Sequence, residues 1–147
     1  MYQRILVPTD GSPLSKKAVR SAVELAAAVG AEVVALNVVP RYPVSYFEGS
    51  ISMAPAEVAR VEKQWAEHGQ ALADDVARAG SRAGVKVKAL TVRSDLVAEA
   101  ILTAARKNKC DLVVMASHGR KGLKRLLLGS ETQHVLTHGN IPVLVLR

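Results

Sequence analysis

The feature that most constrains this chain is a regular alternation between short, mainly apolar runs and longer segments with helical spacing. Ile5-Leu6-Val7, Val33 through Val39, Val85 through Val92, Leu112 through Ala116 and Ile141 through Leu146 are short, and four of the five are rich in β-branched residues, so each is predicted as a strand. Between the first two, Leu14, Ala18, Ala22, Leu25 and Val29 recur at steps of 4, 4, 3 and 4. That is one face of a helix, with Ser12 as its cap, Pro13 at its first position and Gly30 at its end. Val58, Val61, Trp65, His68, Leu72, Val76 and Ala79 predict a longer second helix running up to Gly80 and Gly84. Ser94-Asp95 caps a short third helix carrying Val97, Ile101 and Ala104, and the Ser130/Gln133 pair has the spacing of a capping box opening a fourth that ends near His138-Gly139.

Strict strand–helix alternation without an internal repeat argues for an α/β fold, one open parallel sheet with helices on both faces. At 147 residues, a single domain spanning 1–147 is expected. The middle runs read as buried strands. Val85, Val87 and Ala89 alternate with Lys86 and Lys88, which fits a half-buried edge. Pro142 removes a ladder donor and favours an edge for the last strand, yet Val143-Leu144-Val145-Leu146 is apolar on both faces. A second copy pairing there would cover it, so a homodimer through Ile141 to Leu146 is expected.

In sheets of this kind ligands sit beyond the carboxyl ends of the strands, where the strand order reverses. Those ends carry Pro8-Thr9-Asp10, Asn37-Val38-Val39, Val92-Arg93-Ser94 and Ala116-Ser117-His118-Gly119. Gly119 follows a strand directly, and Gly129 precedes the capped helix, so the amides of Gly129, Ser130 and Glu131 are expected to face outward at its positive end. Arg120, Lys121, Lys124 and Arg125 lie between the two glycines. Two readings stand for this segment: an anion site, or an ordinary turn and cap with a solvated basic loop. Asp10 likewise has two, an acceptor for a base, ribose or cation, or an Asx turn capping the first helix. The chain has no G-x-G-x-x-G after the first strand, no P-loop and no G-x-S-x-G elbow. Ser117 and His118 are neighbours in sequence, which does not make them a nucleophile–base pair. His134 and His138 have a metal-compatible spacing but no third ligand, so no metal site and no catalytic residue is assigned. Cys110, Trp65 and Met115 read as packed residues.

Charge narrows the partners. Twenty Lys and Arg against thirteen Asp and Glu give +7, and residues 106–125 alone hold seven of the cations and one acid, Asp111. Arg106, Lys107 and Lys109 precede the fourth strand and belong on the far side of the sheet, whereas Arg120, Lys121, Lys124 and Arg125 follow it. Half of this surplus is therefore placed for a polyphosphate. With aromatics at 3%, no stacking platform for single-stranded nucleic acid exists, and no nucleic-acid partner is expected. The lone cysteine fits a reducing compartment. With no leader pattern and no apolar run near ~18 residues, a cytoplasmic location away from membranes is expected.

Ile5-Leu6-Val7-Pro8-Thr9-Asp10-Gly11-Ser12, Met115 through Ser130 and the closing Ile141-Pro142-Val143-Leu144-Val145 run resemble the universal stress protein family, and the resemblance covers the whole chain. Nucleotide-binding members carry a glycine, two residues, a glycine, nine residues, then Gly-Ser or Gly-Thr. Here Gly119 and Gly129-Ser130 match with nine residues between them, and Ala116 stands at the first glycine position. The resemblance implies a Rossmann-like sheet of the adenine nucleotide alpha-hydrolase type with strand order 3-2-1-4-5. It implies ATP or a related nucleotide (AMP or a cyclic nucleotide) at the junction of strands one and four, with Mg or Mn on the phosphates. Asp10, with Pro8 and Thr9, would lie near adenine and ribose, Val38 would meet the base, and Met115 and Ala116 would flank base and ribose. Gly119, Arg120, Gly129, Ser130 and Glu131 would cradle the phosphates beside His118. A stress-responsive regulatory dimer follows. The competing readings are a nucleotide-free dimeric interaction protein, toward which Ala116 is a step, and a slow ATPase, which lacks an evident base.

Overall fold

The computed structural model describes residues 1–43, 54–119 and 128–147. Most of the irregular 41–54 loop, and Arg120, Lys121, Lys124 and Arg125, therefore lie outside the described residues. The elements follow in the order β1 (Arg4–Pro8), α1 (Pro13–Val29), β2 (Glu32–Val39), α2 (Pro55–Arg82), β3 (Val87–Arg93), α3 (Val97–Lys107), β4 (Leu112–Ala116), α4 (Ser130–His138) and β5 (Val143–Leu146). The five strands are parallel in the order β3-β2-β1-β4-β5, the doubly wound arrangement expected.

Local chemistry explains the first helix. Ser12 Oγ accepts the amide of Ser15 at 3.2 Å, Pro13 occupies the first turn, and Gly30 closes the helix in the left-handed region at φ 73°. β1 is the centre of the sheet, and Ile5, Leu6 and Val7 are fully buried because helices cover both faces. Ile5, Val7, Val33, Ala35, Leu112 and Val114 face α1 and α2, while Leu6, Val34, Leu36, Val113 and Met115 face α3 and α4. Each such aliphatic side chain stabilises the fold by about 1.5–3 kcal/mol when fully buried.

Several boundaries differ from the sequence reading. α2 buries Gly69, Ala73, Val76 and Gly80 rather than the stripe through Trp65 and His68. The small residues win because α2 lies close on the sheet: a Cβ on Gly69 would stand 2.2 Å from Asn37 Oδ1. Trp65 is only half-buried and stacks on Tyr42, with ring centroids 5.9 Å apart, and His68 is exposed. Gly80 is inside the helix, which runs on to Arg82. β3 begins at Val87 and β5 at Val143, each later than expected. β3 and β5 are the two edges, as their patterns suggested.

The β1–β4 junction matters most for function. β1 pairs with β2 over five residues but with β4 only through Ile5–Leu112 and Leu6–Val113. At the amino end the two are clamped: the Asp111 carboxylate accepts the amides of Gln3 (2.9 Å) and Arg4 (3.0 Å), and the Asp111 amide donates to the Arg4 carbonyl at 2.9 Å. Partial burial pushes the Asp111 carboxyl up, but the Arg4 and Gln3 amides outweigh this and hold it below the usual carboxylate range. A carboxyl depressed in the folded state stabilises above its unfolded pKa, and the contribution is lost as pH falls through the folded value. Asp111→Asn is therefore expected to cost about 1 kcal/mol in urea unfolding at pH ~7, with the difference from wild type shrinking as pH falls below the ordinary aspartate range.

Candidate functional site

The site starts where the β1–β4 ladder stops. Beyond Leu6 and Val113, both strands run on without pairing to each other, to Pro8 and to Ala116, and the crevice between their carboxyl ends is where ligands lie in open parallel sheets.

On the β1 side the backbone is fixed by buried polar groups. The Thr9 amide donates to the Leu36 carbonyl at 2.8 Å, and its carbonyl accepts Asn37 Nδ2 at 2.8 Å. Ser15 Oγ donates to Thr9 Oγ1 at 3.1 Å and accepts the Asp10 amide at 3.2 Å. Thr9 is buried, whereas Pro8 and Asp10 are half-buried at the mouth. Asp10 Oδ1 accepts the Ser12 amide at 2.9 Å, so Asp10 does form the Asx turn that one of its two readings required. Its second oxygen points across the crevice: a Cβ placed on Gly119 would lie 2.8 Å from Asp10 Oδ2. The loops after β1 and β4 thus meet, as the family resemblance implied.

On the β4 side, Ala116 is half-buried and its carbonyl accepts Thr132 Oγ1 at 2.9 Å. Among the described non-glycine residues only Lys109 has positive φ, so Ala116 sits in a backbone that any residue adopts. Gly119 and Gly129 also lack positive φ, and Gly129 lies at φ −60°. These glycines provide room. Gly129 packs its Cα on the preceding loop, where a Cβ would stand 2.9 Å from the Ser117 carbonyl oxygen and 3.1 Å from His118 Cα. Its amide donates to that carbonyl at 2.7 Å. This corrects the expectation of an outward Gly129 amide: it locks the loop instead.

The cap of α4 is Gly129, not Ser130, and no side chain supplies a capping bond there. No acceptor among the described residues meets the amides of Ser130 and Glu131, which leaves two N–H donors at the positive end of α4. The Glu131 carboxylate is turned away to α3, where Oε2 accepts the Ala98 amide at 2.9 Å. The expected Ser94-Asp95 cap of α3 is not formed. Leu96 is the cap residue, Ser94 Oγ accepts the Leu96 amide at 3.0 Å, and Asp95 Oδ1 accepts the Arg41 amide at 2.9 Å. A residue 33 positions downstream therefore caps α3.

The remaining candidates divide. Val38 is half-buried near the end of β2 and packs on the α3–α4 side. Met115 is buried in that same core. His118 is half-buried, with Nδ1 3.2 Å from Ser117 Oγ. Asn37 and Thr132 were missed as positioning residues. A lone amide in the apolar run 33–39 was the signal for Asn37, since a buried polar group needs a partner. No local signal marked Thr132. The His134 and His138 rings stack at 4.0 Å, and His134 Nε2 meets Glu99 Oε1 at 2.8 Å. Among the described residues no group of three or more His, Cys, Asp or Glu is placed to hold a metal. Burial pushes the Cys110 thiol up to about 11, as suits an inert packed cysteine. No described helix is long and apolar enough to cross a membrane.

A five-stranded parallel sheet ordered 3-2-1-4-5 with helices on both faces defines a Rossmann-like α/β protein. The model of the universal stress protein family matches residues 1–147, and the chain belongs to that family. It is 35% identical over 147 residues to a universal stress protein of Methanocaldococcus jannaschii, covering all of this chain and 83% of that one. A solved universal stress family protein from Burkholderia pseudomallei is 29% identical with a TM-score of 0.73, over 98% of this chain and 95% of that one. Another solved universal stress protein, in complex with cAMP, is 27% identical with a TM-score of 0.71, over 99% and 97% of the two chains.

Removing the long-range cap is a direct check on how α3 and α4 are joined. Glu131→Ala is expected to lower stability by about 1 kcal/mol in thermal unfolding, with amide exchange accelerating first at Ala98.

Proposed function

We propose that this protein binds an adenine nucleotide in the β1–β4 crevice, with ATP the first candidate and AMP or a cyclic nucleotide the alternatives. The observation that carries the reading is the approach of Gly119 to Asp10 Oδ2, 2.8 Å for an added Cβ, beside the Ser130 and Glu131 amides, which meet no acceptor among the described residues. An acceptor at the end of β1 suits ribose hydroxyls or the adenine amino group. Amides with a helix dipole behind them suit phosphate oxygens. In this reading Pro8, Thr9 and Asp10 flank base and ribose, with Val38, Met115 and Ala116 beside them. Gly119, Ser130 and Glu131 receive phosphates through their backbone, next to His118, and Gly129 holds the start of α4 against Ser117. Ala116 serves in place of glycine because its backbone needs no positive φ and its carbonyl is already held by Thr132. Mg or Mn would accompany the phosphates and supply charge neutralisation there. The relative solved in complex with cAMP supports the reading, and the family match extends it to this chain.

Nucleotide occupancy would then bias a cytoplasmic, stress-responsive regulatory dimer. Leu144 is 41% exposed on β5, which among the described residues pairs only with β4. A second copy paired along Val143–Leu146 covers that apolar edge.

Calorimetry and thermal shift test the binding. ATP at about 100 times its Kd should add about 2.7 kcal/mol of stability. Gly119→Val, which displaces the Asp10 carboxylate, should weaken binding at least about tenfold while leaving unliganded stability within about 1 kcal/mol. Failure of ATP, AMP and cAMP alike to bind at millimolar concentration would leave the nucleotide-free interaction protein as the better reading. Phosphate release above background that disappears in Asp10→Ala would instead favour an ATPase. For the dimer, sedimentation of wild type at micromolar concentration should give twice the chain mass, and Leu144→Glu should give a monomer.

A further inference from the structure

At the opposite edge of the sheet, β3 has β2 on one side and no strand among the described residues on the other. The Lys86 carbonyl and the Ser94 amide both bond to β2, at 2.9 Å each, which sets the phase of the strand. Because backbone groups alternate along a strand, the N–H and C=O of Val87, Ala89, Thr91 and Arg93 point to the open edge. α2 covers one face of this strand, where Val87 and Ala89 join the α1–α2 core. The other face is not closed. Lys88, Leu90 and Val92 on β3 and Leu96, Ala100 and Lys107 on or next to α3 line a cavity of about 570 Å³. Leu96 is 65% exposed at its rim. Along β3 the groove extends from Lys88 to Ser94, about 20 Å at the usual rise.

The charge around it is predominantly positive: Lys88, Arg93 and Lys107 line the groove against one acid, Glu99. Lys88 and Asn108 also line an adjoining cavity of about 190 Å³ at the amino ends of the strands, shared with Arg4, Lys86 and Glu32. Glu32 already bridges Arg4 at 3.1 Å and Lys86 at 3.2 Å, so three cations there face a single carboxylate. Glu99, the acid in the groove, is held by His134 at 2.8 Å. Lys88 and Lys107 are exposed and lie on the floor and rim of the groove.

We propose that the β3 edge is a docking site for an extended, acidic segment of a partner protein, which adds as a sixth strand. Its backbone pairs with Val87, Ala89, Thr91 and Arg93. Its alternate apolar side chains enter the groove over Leu90 and Val92, and its carboxylates lie along Lys88 and Lys107 toward Arg4 and Lys86. Main-chain pairing gives such a site its affinity, and the pockets and charges give it selectivity. This edge is remote from the β1–β4 crevice and from β5, so the site does not depend on nucleotide or on the dimer.

The probe is a fluorescein-labelled eight-residue peptide alternating valine and glutamate, followed by anisotropy and by amide hydrogen exchange of the protein. Binding is expected to slow exchange at Val87, Ala89, Thr91 and Arg93 at least about tenfold. Affinity should fall at least about tenfold in the Lys88→Glu/Lys107→Glu double variant and in Ala100→Trp, and with a peptide N-methylated at alternate amides. The ATP thermal shift of both variants should match wild type, which also shows that they fold. Equal binding of a valine–lysine peptide, equal binding by the variants, or unchanged exchange at the four amides would overturn the proposal. So would a concentration-dependent self-association abolished by Ala100→Trp, which would assign the edge to a second copy.

Discussion

The short ladder between β1 and β4 is the constraint on which the site depends. Two residue pairs, Ile5–Leu112 and Leu6–Val113, with the Asp111 clamp below them, hold the halves of the sheet together at one end. Above them the strands part. The central strand must be apolar on both faces to sit there, which is why Ile5, Leu6 and Val7 are fully buried. The parting also forces the two loops that leave the crevice to find support elsewhere. Thr9 takes it from Leu36, Asn37 and Ser15, and Ala116 takes it from Thr132. At Thr9 and Ala116 the mouth is therefore lined by backbone already tied down from behind, which a ligand would not have to order.

The glycines of the motif follow from the same geometry. Neither Gly119 nor Gly129 has positive φ. Gly119 keeps clear of the Asp10 carboxylate, and Gly129 lets α4 start directly against the 117–118 backbone. Ala116, three residues before Gly119, ends β4 without positive φ, so the first motif position accepts a Cβ without disturbing the fold. The Gly129 amide shows the cost of close packing: it is bonded to Ser117, so the amides of α4 that meet no acceptor among the described residues begin at Ser130.

What the sequence made legible was whatever local chemistry decides. Alternating periods specified the parallel sheet and its four helices. Ser12, Pro13 and Gly30 marked both ends of α1, and the Lys86–Lys88 alternation and Pro142 marked the two edges. What it hid was nonlocal. The stripe through Trp65 and His68 is a sound helical pattern, yet close approach to Asn37 favours the small face through Gly69 and Ala73. Ser94, Asp95 and Ser130 have the right chemistry for caps. Glu131 reaches Ala98 from another helix, and Gly129 displaces Ser130 by packing on Ser117. At the candidate site, Asp10 and Gly119 were named from the motif, but their contact, and the roles of Asn37 and Thr132, depend on residues brought together only by the fold.

The central claim is that the β1–β4 crevice, rather than the basic amino-end side of the sheet or the β3 edge, receives an adenine nucleotide. The most direct measurement is a residue-resolved amide shift titration of the labelled protein with ATP. The account predicts saturable shifts concentrated at Asp10, Gly11, Ser12, Gly119, Ser130 and Glu131, with Lys86, Lys88 and Lys109 unmoved. Shifts centred on Lys86, Lys88 and Lys109, or none at millimolar ATP, would contradict it.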